Sequence, residues 1–528
     1  MSDACGANQR NRASPAARSP AAAQWDGIPR PERTAATPLG ALSGALATAE
    51  VVRGAEVEVR GITASTDLVR AGDLFAALPG RNAHGAQFAG KALGAGAAAV
   101  LTDRAGLGLL PAEAPGVVRV DDVRAALGPA SAAIYGRPSS HLRLLGVTGT
   151  SGKTTTTFLV RAGLRAAGRV PGLIGTVATL IAGAPIKTGF TTPEAPELQA
   201  LLAVMHESGV TDVAMEVSSH ALAMGRADAA EFAVGAFTNL SEDHLDFHRD
   251  MESYFAAKAS LFEPARTRRA VVTVDDEWGL RLADSLTAPV TVSTGSTPAT
   301  WRAEEVTERP DGSTTFRALG PGTDVATGCA VPGRYNVANA LRALAILHEA
   351  GVPADVAAPA VASATVPGRM ERIDEGQPFL AVVDYSHKPA AVDGALRALR
   401  PLTSGRLIVV LGCGGDRDRG KRPHMGEIAA RGADLLIVTD DNPRSEDPAA
   451  IRAAMLAGAL AVAAPERGAV REVGDRAEAI SDAVRSARPG DTVLVAGKGH
   501  ETGQEIAGVV HPFDDRDVLR AALEAQAR

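Results

Sequence analysis

Residues 143–157 read RLLGVTGTSGKTTTT, and this stretch decides the fold of the chain. Its first apolar residues predict a short strand, GTSG predicts a tight loop, and Lys153 begins a helix with one apolar side. A glycine-rich turn between a strand and a helix binds phosphate, because backbone N–H groups and the positive helix end face the anion. The stretch therefore predicts a nucleotide-phosphate site.

The loop residues Gly149, Thr150, Ser151 and Gly152 supply the backbone of this predicted cradle. Lys153 adds a positive charge, and Thr154 is placed to ligate the Mg²⁺ that accompanies a nucleotide. The usual pattern has a glycine five residues before Gly152, where this chain has Val147, so the loop is a shortened variant. An incidental turn rich in Gly and Thr is the alternative.

Composition limits the possible classes of protein. The 528 residues predict about three domains, and the 45% hydrophobic content is enough for packed cores. A net charge of −7 argues against a nucleic-acid partner. Cys5, Cys329 and Cys413 lie far apart, which suits the reducing cytoplasm. No apolar run approaches the ~18 residues that cross a bilayer, so no membrane segment is expected.

Alternating strand and helix patterns predict the α/β class. We expect a disordered extension over 1–37, a small α/β domain over 38–139, a central phosphate-loop domain with a mostly parallel sheet over 140–366, and a Rossmann-like α/β domain over 367–528. The segment VPGRM at 366–370 has the composition of a hinge between the last two.

Two polar residues follow predicted strands of the central domain. Glu216 ends the strand VAMEV, and His244 lies in the loop TNLSEDHLDFH that follows the next strand. Open α/β sheets gather ligands at the carboxyl ends of their strands, so both are expected at the edge of the phosphate loop. There Glu216 would complete a Mg²⁺ shell with Thr154 and phosphate oxygens. A capping carboxylate and an ordinary buried histidine are the alternatives.

Other candidates are ambiguous from the residues alone. Lys258 lies on a helix with a surface-like pattern, which by itself indicates a solvated lysine. Asn336 and Asn339 share one face near a helix N-terminus, which suits hydrogen bonding to a nucleobase but equally a cap.

Three polar loops follow strands of the last domain: GGDRD at 414–418, DDNPRS at 440–445 and GKGHE at 497–501. If the sheet is parallel, they converge on one edge. Arg417 and Arg444 would then grip carboxylates, and Glu501 would face an ammonium group. This set predicts an amino-acid site; a surface ion-pair network is the alternative.

At this point the chain resembles the Mur ligase family over about residues 40–525. The motifs occur in family order: GTSGKTT at 149, TTPE at 191, MEVSSHAL at 215, TNLSEDHLDFH at 238, AAKASLF around Lys258, NVANAL at 336, PGRMER at 367, DDNPRSEDP at 440 and GKGHE at 497. The resemblance implies a UDP-binding domain, a central ATPase domain, an amino-acid-binding domain, and a monomer.

The resemblance also implies residue roles. ATP and Mg²⁺ would contact Lys153, Thr154, Thr155, Glu216, His244, Asn339, Arg369 and Asp384, with a carbamoylated Lys258 as a further metal ligand. The muramoyl substrate would contact Thr66, Thr191, Thr192, Ser218 and Arg226. Diaminopimelate would contact Arg417, Asp441, Asn442, Pro443, Arg444, Gly497 and Glu501.

The implied reaction adds diaminopimelate to UDP-N-acetylmuramoyl-L-alanyl-D-glutamate. ATP phosphorylates the γ-carboxylate of the D-glutamate, and the amine then displaces phosphate. Diaminopimelate differs from lysine by a carboxylate that Arg444 is suited to bind. The meso isomer is favoured, although both isomers place this carboxylate within reach. Because the intermediate hydrolyses, domain closure about 366 is expected.

The chain departs from the family pattern on the nucleotide-sugar side. Ser65-Thr66-Asp67 replaces Asp-Ser-Arg, Phe190 precedes the TTP motif, and Met224 replaces a glutamine. The family's Tyr-Ala-His-Thr-Pro appears as YSHKP at 385–389. A paralogue with another carboxylate acceptor, a folylpolyglutamate-type or cyanophycin-type ligase, and a non-catalytic scaffold that binds nucleotide or muropeptide stay as alternatives.

Overall fold

The structure is a computed structural model that describes residues 27–80, 82–309 and 312–527. Three α/β units follow one another along the chain, each built on its own main sheet. The predicted α/β class and the three-unit arrangement are confirmed, whereas the domain boundaries at 139/140 and 366/367 stay predictions. In the described part of the chain, no helix has both the length and the apolar character needed to cross a membrane.

The first unit alternates short strands and helices: β1 (Thr37–Pro38), α1 (Leu39–Ser43), β2 (Glu50–Arg53), β3 (Glu58–Val59), β4 (Gly61–Thr63), β5 (Asp73–Ala76), α2 (Ala89–Gly94), β6 (Ala99–Thr102), α3 (Arg104–Leu107), β7 (Gly116–Arg119) and α4 (Val123–Ile134). Its main sheet has the order β2-β7-β6-β5-β4, in which only β2 pairs antiparallel. Buried residues of α1 and α4 close its core.

We predicted a disordered extension over 1–37, but its last residues, from 27 onward, are ordered in the structure. The backbone N–H groups of Glu32 and Arg33 donate to the Glu207 carboxylate at 3.0 and 2.9 Å. This segment is therefore fixed on helix α6 (Ala195–Glu207) of the central unit, a long-range contact that local composition does not reveal. Residues 1–26 lie outside the described residues.

The central unit carries the phosphate loop and consists of β8 (Arg143–Thr148), α5 (Lys153–Ala166), β9 (Pro171–Ile174), β10 (Thr179–Ile181), β11 (Ala184–Ile186), α6 (Ala195–Glu207), β12 (Asp212–Glu216), α7 (Ser219–Ala223), β13 (Phe232–Phe237), α8 (Leu245–His248), α9 (Met251–Ala259), β14 (Thr267–Thr273), α10 (Glu277–Ser285), β15 (Val290–Ser293), β16 (Trp301–Glu308), β17 (Thr314–Gly320), β18 (Thr323–Cys329), α11 (Tyr335–Glu349) and α12 (Ala354–Ser363).

The sheet of the central unit has the order β11-β10-β9-β12-β8-β13-β14-β15-β16-β17-β18. Pairing is parallel from β9 to β16 and antiparallel at both ends, which confirms the mostly parallel sheet. The inner strands are apolar because both faces are covered. On one face, α5 and α11 approach so closely that a Cβ on Gly163 would lie 2.3 Å from Leu347 Cδ1.

The third unit follows the hinge segment and consists of β19 (Glu371–Arg372), β20 (Leu380–Asp384), α13 (Pro389–Leu399), β21 (Leu407–Leu411), α14 (Lys421–Gly432), β22 (Leu435–Val438), α15 (Pro448–Ala461), β23 (Ala469–Glu472), α16 (Arg476–Ser486), β24 (Thr492–Ala496), β25 (Gly503–Ile506), β26 (Val509–Pro512) and α17 (Asp515–Ala527). Its sheet has the order β19-β20-β24-β21-β22-β23, and only β19 pairs antiparallel. The three polar loops therefore leave the same edge, as predicted.

Candidate active site

The phosphate loop joins β8 to α5 and depends on two glycines in left-handed backbone. Gly149 has φ of +142°, and a Cβ there would lie 1.8 Å from Thr238 Oγ1. Gly152 has φ of +88°, and a Cβ there would lie 2.4 Å from Asn339 Oδ1. Because each clash adds to an unfavourable φ, only glycine fits at either position. The neighbouring loop after β13 supports the turn, since Asn239 O accepts from the Thr150 N–H at 2.9 Å.

Lys153 closes this loop from the first turn of α5. Its ammonium donates to the carbonyl oxygens of Gly149 and Thr150 at 2.8 and 3.0 Å. Desolvation lowers the pKa of Lys153, and the nearby Lys388 and Arg369 act in the same direction while Glu216 opposes them. An anion in the cradle would relieve this crowding of positive charge. The residues thus fit a nucleotide triphosphate.

Glu216 gathers hydroxyl and amide donors at the end of β12. Only 1% of the residue is exposed. Its Oε1 accepts from Thr154 Oγ1 and from the Thr176 N–H, both at 2.9 Å, and its Oε2 accepts from Thr176 Oγ1 at 3.1 Å. The parallel neighbours β12, β8 and β13 place Glu216 and the His244 loop at the edge of the phosphate loop, as predicted.

The donor set here fits Mg²⁺ only in part. Thr154 and Glu216 supply hard oxygen atoms, which Mg²⁺ prefers. Among the described residues, no group of three or more His, Cys, Asp or Glu side chains is close enough to hold a metal. A cation would therefore need further oxygens from bound phosphates, water or a modified side chain, which agrees with how Mg²⁺ accompanies nucleotides.

Lys258 is buried, so the interpretation of this residue as a solvated lysine on a surface helix is wrong. The residue is 1% exposed, donates to Gly149 O at 2.8 Å, and lies 4.4 Å from the centre of the Tyr254 ring. Burial, together with the charge of Lys153, holds the pKa of Lys258 well below its usual value. The amine is directed to the phosphate loop, in surroundings that disfavour its charged form. The sequence pattern misses this because the covering loop lies more than a hundred residues away.

His244 is the N-cap residue before α8 and has left-handed backbone with φ of +54°. Its Nε2 lies 3.3 Å from Asp243 Oδ2, and its ring meets that of His220 edge-on at 4.8 Å. Desolvation lowers the pKa of His244 to about 4, against the attraction of Asp243. The imidazole is therefore neutral near pH 7, where it serves as a hydrogen-bonding group.

Asn339 supports the loop from α11. Its amide donates to Asn336 Oδ1 at 2.8 Å and accepts from Arg342 at 3.0 Å, so both ends are occupied within the protein. Arg342 is 1% exposed and also donates to Thr156 Oγ1 and Thr273 Oγ1 at 3.0 and 2.8 Å. The sequence analysis does not identify Arg342. A charged residue three positions after Asn339, within an otherwise apolar helix, could have indicated a buried hydrogen-bonding role. The adenine contact of Asn339 stays a prediction.

The hinge segment places Arg369 beside the central unit. The Arg369 guanidinium stacks 4.5 Å above the Tyr385 ring, and its buried Nε has no hydrogen-bond partner among the described residues. Such an orphaned cation fits an anionic ligand. Asp384 instead fixes the hinge, because its carboxylate accepts from the N–H groups of Met370 and Ser386 at 2.7 and 2.9 Å.

The predicted muramoyl contacts Thr191, Thr192, Ser218 and Arg226 lie around Glu216. Thr191 Oγ1 meets Thr176 Oγ1 at 2.9 Å. The remaining three contacts are Thr192 Oγ1 to Glu216 O at 2.9 Å, Ser218 N to Thr192 Oγ1 at 3.2 Å, and Arg226 to Glu194 at 2.9 Å.

The two unusual residues on this side both touch Arg226. The Phe190 ring lies 4.2 Å from the guanidinium, and Met224 Sδ lies 3.7 Å from it. They thus form an apolar frame around one cation. Thr66 is apart from this group, on a half-buried turn of the first unit.

The loops of the third unit form a cavity of about 440 Å³ against the central unit. Its polar lining comes from Asn442, Arg444, His500, Glu501 and Glu505, while Val177 reaches it from the central unit. A site of mixed charge suits a ligand with ammonium and carboxylate groups. Of the predicted contacts, Arg417 is exposed and does not line this cavity.

Lys498 organises the acidic side of this cavity. It is fully buried, and its ammonium donates to Asn442 Oδ1 at 2.9 Å and to Glu501 Oε2 at 3.3 Å, with Asp441 at 3.5 Å. Sequence reasoning does not single out Lys498 within GKGHE. Lys498 is buried between the DDNPRS and GKGHE loops and contacts Glu501 from the protein interior. It therefore holds Glu501 in position.

Arg444 occupies the opposite side of the cavity. It has φ of +52°, donates to Gly415 O at 2.7 Å, and lies 3.3 Å from Glu505. Pro443 fixes the turn before it, where a Cβ on Gly415 would lie 1.9 Å from Pro443 O. Gly497 has φ of +118° and donates its N–H to Asp384 O at 3.1 Å. The arginine is held with one edge toward the cavity.

This fold and loop define a phosphate-loop protein of three α/β units with a cavity of mixed charge on the third. Family descriptions match all three units: "Mur ligase family, catalytic domain" at 58–135, "Mur ligase middle domain" at 147–347, and "Mur ligase, glutamate ligase domain" at 368–499. The chain belongs to the Mur ligase family.

Relatives within the family are similar over nearly the whole chain. The UDP-N-acetylmuramoyl-L-alanyl-D-glutamate--2,6-diaminopimelate ligase of Streptomyces coelicolor is 55% identical, over 95% of this chain and 99% of the relative. The enzyme of that name from Corynebacterium efficiens is 54% identical, over 89% of this chain and 90% of the relative. A solved structure of a ligase with the same name is 32% identical with a TM-score of 0.66, covering 90% of this chain and 97% of that one.

Proposed function

We propose that this chain is an ATP-dependent ligase that adds 2,6-diaminopimelate to UDP-N-acetylmuramoyl-L-alanyl-D-glutamate in peptidoglycan precursor synthesis. One observation carries the proposal: a phosphate loop and a cavity of mixed charge lie on two units that meet across the 366–370 hinge. A non-catalytic scaffold would not need a buried lysine directed to the phosphate loop. Because the substrates are charged nucleotides and amino acids, we place the reaction in the cytoplasm, and we expect a monomer.

The first step activates the D-glutamate γ-carboxylate. A carboxylate oxygen forms a bond to the γ-phosphorus of ATP, and the bond to the β,γ-bridging oxygen breaks, which yields an acyl phosphate and ADP. Lys153, at the loop, neutralises charge on the transferring group, and Arg369, with its free Nε, is available to do so across the hinge. The backbone N–H groups of the loop orient the phosphates.

Thr154, Glu216 and Lys258 would hold Mg²⁺, which when bound neutralises phosphate charge. Lys258 in its neutral form can react with carbon dioxide: a bond forms between Nζ and the carbon, and a proton is released. The resulting carbamate carries two oxygen atoms and a negative charge. It would supply the additional oxygen ligand that Mg²⁺ needs beside Thr154 and Glu216. The burial of Lys258 disfavours the charged amine and so favours this reaction.

The second step forms the amide. The amine of diaminopimelate attacks the acyl carbon, phosphate leaves, and the amine loses a proton. Arg444 would hold the distal carboxylate, and Glu501 would accept from an ammonium group. We propose the meso isomer as the substrate. A site built around a charged hydrogen bond discriminates against the analogue that lacks the group, here lysine, by ~10⁴-fold.

The test is ATP-dependent phosphate release with the UDP-muramoyl dipeptide and a panel of amino acids. We expect release only when both co-substrates are present, with meso-diaminopimelate far better than lysine. Nucleotide binding without turnover would support the scaffold instead. Turnover with another acceptor but not with the muramoyl dipeptide would identify a paralogue.

A further inference from the structure

An ion pair joins the central unit to the third unit. Lys388 Nζ lies 2.6 Å from Asp243 Oδ2. Asp243 belongs to the loop after β13 that carries His244, and Lys388 is the residue that caps α13 at its N-terminus. We propose that this pair is a positioning contact, which sets the amino-acid cavity in register with the phosphate loop for the amide-forming step.

The pair is more than an incidental surface contact. Asp243 is largely buried, with its side chain 17% exposed, and Lys388 is 40% exposed. Although burial acts to raise it, the hydrogen bond and charge of Lys388 hold the pKa of Asp243 below its usual value. Asp243 Oδ2 also lies 3.3 Å from the His244 ring, and Asp243 Oδ1 accepts from the His244 N–H at 2.9 Å. The carboxylate thus links Lys388 to a residue of the active site.

The local charge explains why Lys388 needs this partner. Lys153 and Lys258 lie close enough for Lys388 to disfavour their protonation, and Arg369 belongs to the same cluster as Lys153. Lys153, Arg369 and Lys388 would repel one another across the gap between the units. Asp243 offsets this repulsion and fixes the approach of Lys388, so the third unit is held near the loop before any phosphate is bound.

A short segment connects the pair to the amino-acid cavity. Lys388 ends the loop that begins at Tyr385, directly after β20. The Tyr385 ring packs against His500 at 4.8 Å and under Arg369, and its hydroxyl lies 3.5 Å from Glu501 Oε1. The loop therefore touches the cavity at one end and the central unit at the other. A shift at Lys388 is transmitted to Glu501 and Arg369.

The inference rests on the proposed function, because it names a positioning residue for that reaction. A misplacement of about 1 Å between reacting groups costs on the order of 10²-fold in rate. We therefore expect an effect on the amide-forming step that is larger than the small contribution of a partly exposed ion pair to folding stability.

The experiment is a double-mutant cycle on the full chain with Lys388→Met, Asp243→Asn and the double variant. We expect each single variant to lose roughly 10- to 100-fold in kcat/KM for diaminopimelate, with little change in KM for ATP or in thermal midpoint. The double variant should lose no more than the worse single variant, because the two residues act through one contact. Lys388→Arg keeps the positive charge and should retain most of the wild-type activity.

The matched control is Arg431→Gln, which breaks a 2.7 Å ion pair with Glu466 inside the third unit. It should keep wild-type kcat/KM. Additive losses in the double variant, wild-type kinetics in Lys388→Met, or a loss that follows a fall in thermal midpoint would each overturn the positioning role. Wild-type turnover is measured first: its absence refutes the proposed function and the inference with it, whereas failure of the cycle in an active enzyme refutes the inference alone.

Discussion

Thr154 Oγ1 donates a 2.9 Å hydrogen bond to Glu216 Oε1, which joins the first turn of α5 to the end of β12. The two residues are 62 positions apart, yet neighbouring parallel strands bring them together. The contact places a hydroxyl and a carboxylate beside the phosphate cradle. These are the protein oxygens that a nucleotide-bound Mg²⁺ would use.

Glu216→Gln tests this assignment. The amide keeps the shape and an acceptor for Thr154 but removes the negative charge, so we expect kcat to fall by about 10²–10³-fold and the Mg²⁺ concentration for half-maximal rate to rise. The measurement is a magnesium titration of phosphate release. Glu466→Gln, at an exposed carboxylate, is the control. An unchanged magnesium dependence in a folded Glu216→Gln protein would contradict the metal role.

Gly149→Ala should abolish nucleotide binding. An alanine Cβ would lie 1.8 Å from Thr238 Oγ1, so the cradle must open to admit it. Gly168→Ala is the matched control, because Gly168 also has positive φ, of +72°, but has nothing within 4 Å of an added Cβ. Calorimetry with a non-hydrolysable ATP analogue measures the binding. Equal affinities in the two variants would show that the loop does not cradle phosphate.

Arg444→Ala should remove the preference for diaminopimelate. Loss of the charged fork is expected to lower kcat/KM for diaminopimelate by about 10³-fold, while the low activity with lysine changes little. Competition between the two amino acids measures the change in selectivity. If the variant retains near-normal kcat/KM for diaminopimelate, another residue holds the distal carboxylate.

Lys258 should take up carbon dioxide. Burial holds its pKa well below the usual value, which favours the reactive neutral amine. We expect a carbamate signal in ¹³C NMR after exchange with labelled bicarbonate, and its loss in Lys258→Arg, since a guanidinium does not react. A wild-type spectrum without the signal, in protein that is active, would refute the modification.

The stability of the fold should fall in mild acid through His387. Burial lowers the pKa of His387 to about 4, from about 6.5 in the unfolded chain. The unfolded chain therefore takes up the proton first, so stability is retained above pH 6.5 and lost as the pH falls toward 4. At pH 5 the loss from this residue is about 2 kcal/mol.

Urea unfolding of wild type and His387→Asn at pH 7 and pH 5 checks this expectation. Asparagine retains a donor for Tyr385 O, which the His387 ring contacts at 2.8 Å, but it does not titrate. The variant should lose less stability between the two pH values. An equal loss in both proteins would show that other groups dominate the acid response.

The sequence by itself determined what depends on neighbouring residues. The strand, the glycine turn and the helix at 143–166 are local features, because turn glycines and apolar periodicity act over a few residues. The positions of Glu216 at a strand end and of the DDNPRS and GKGHE loops after strands are also local features. Parallel pairing of the strands then brings the two loops to one edge of the sheet.

Only the tertiary structure decided which side chains are buried and what they face. Lys258 and Lys498 read as solvated or unremarkable residues, yet both are covered by loops distant in the chain. Arg417 lies in a promising loop but stays outside the cavity. The Asp243–Lys388 pair joins two units across a hinge. Burial and charge pairing depend on contacts between distant segments, and these set desolvation and pKa, which local patterns do not encode.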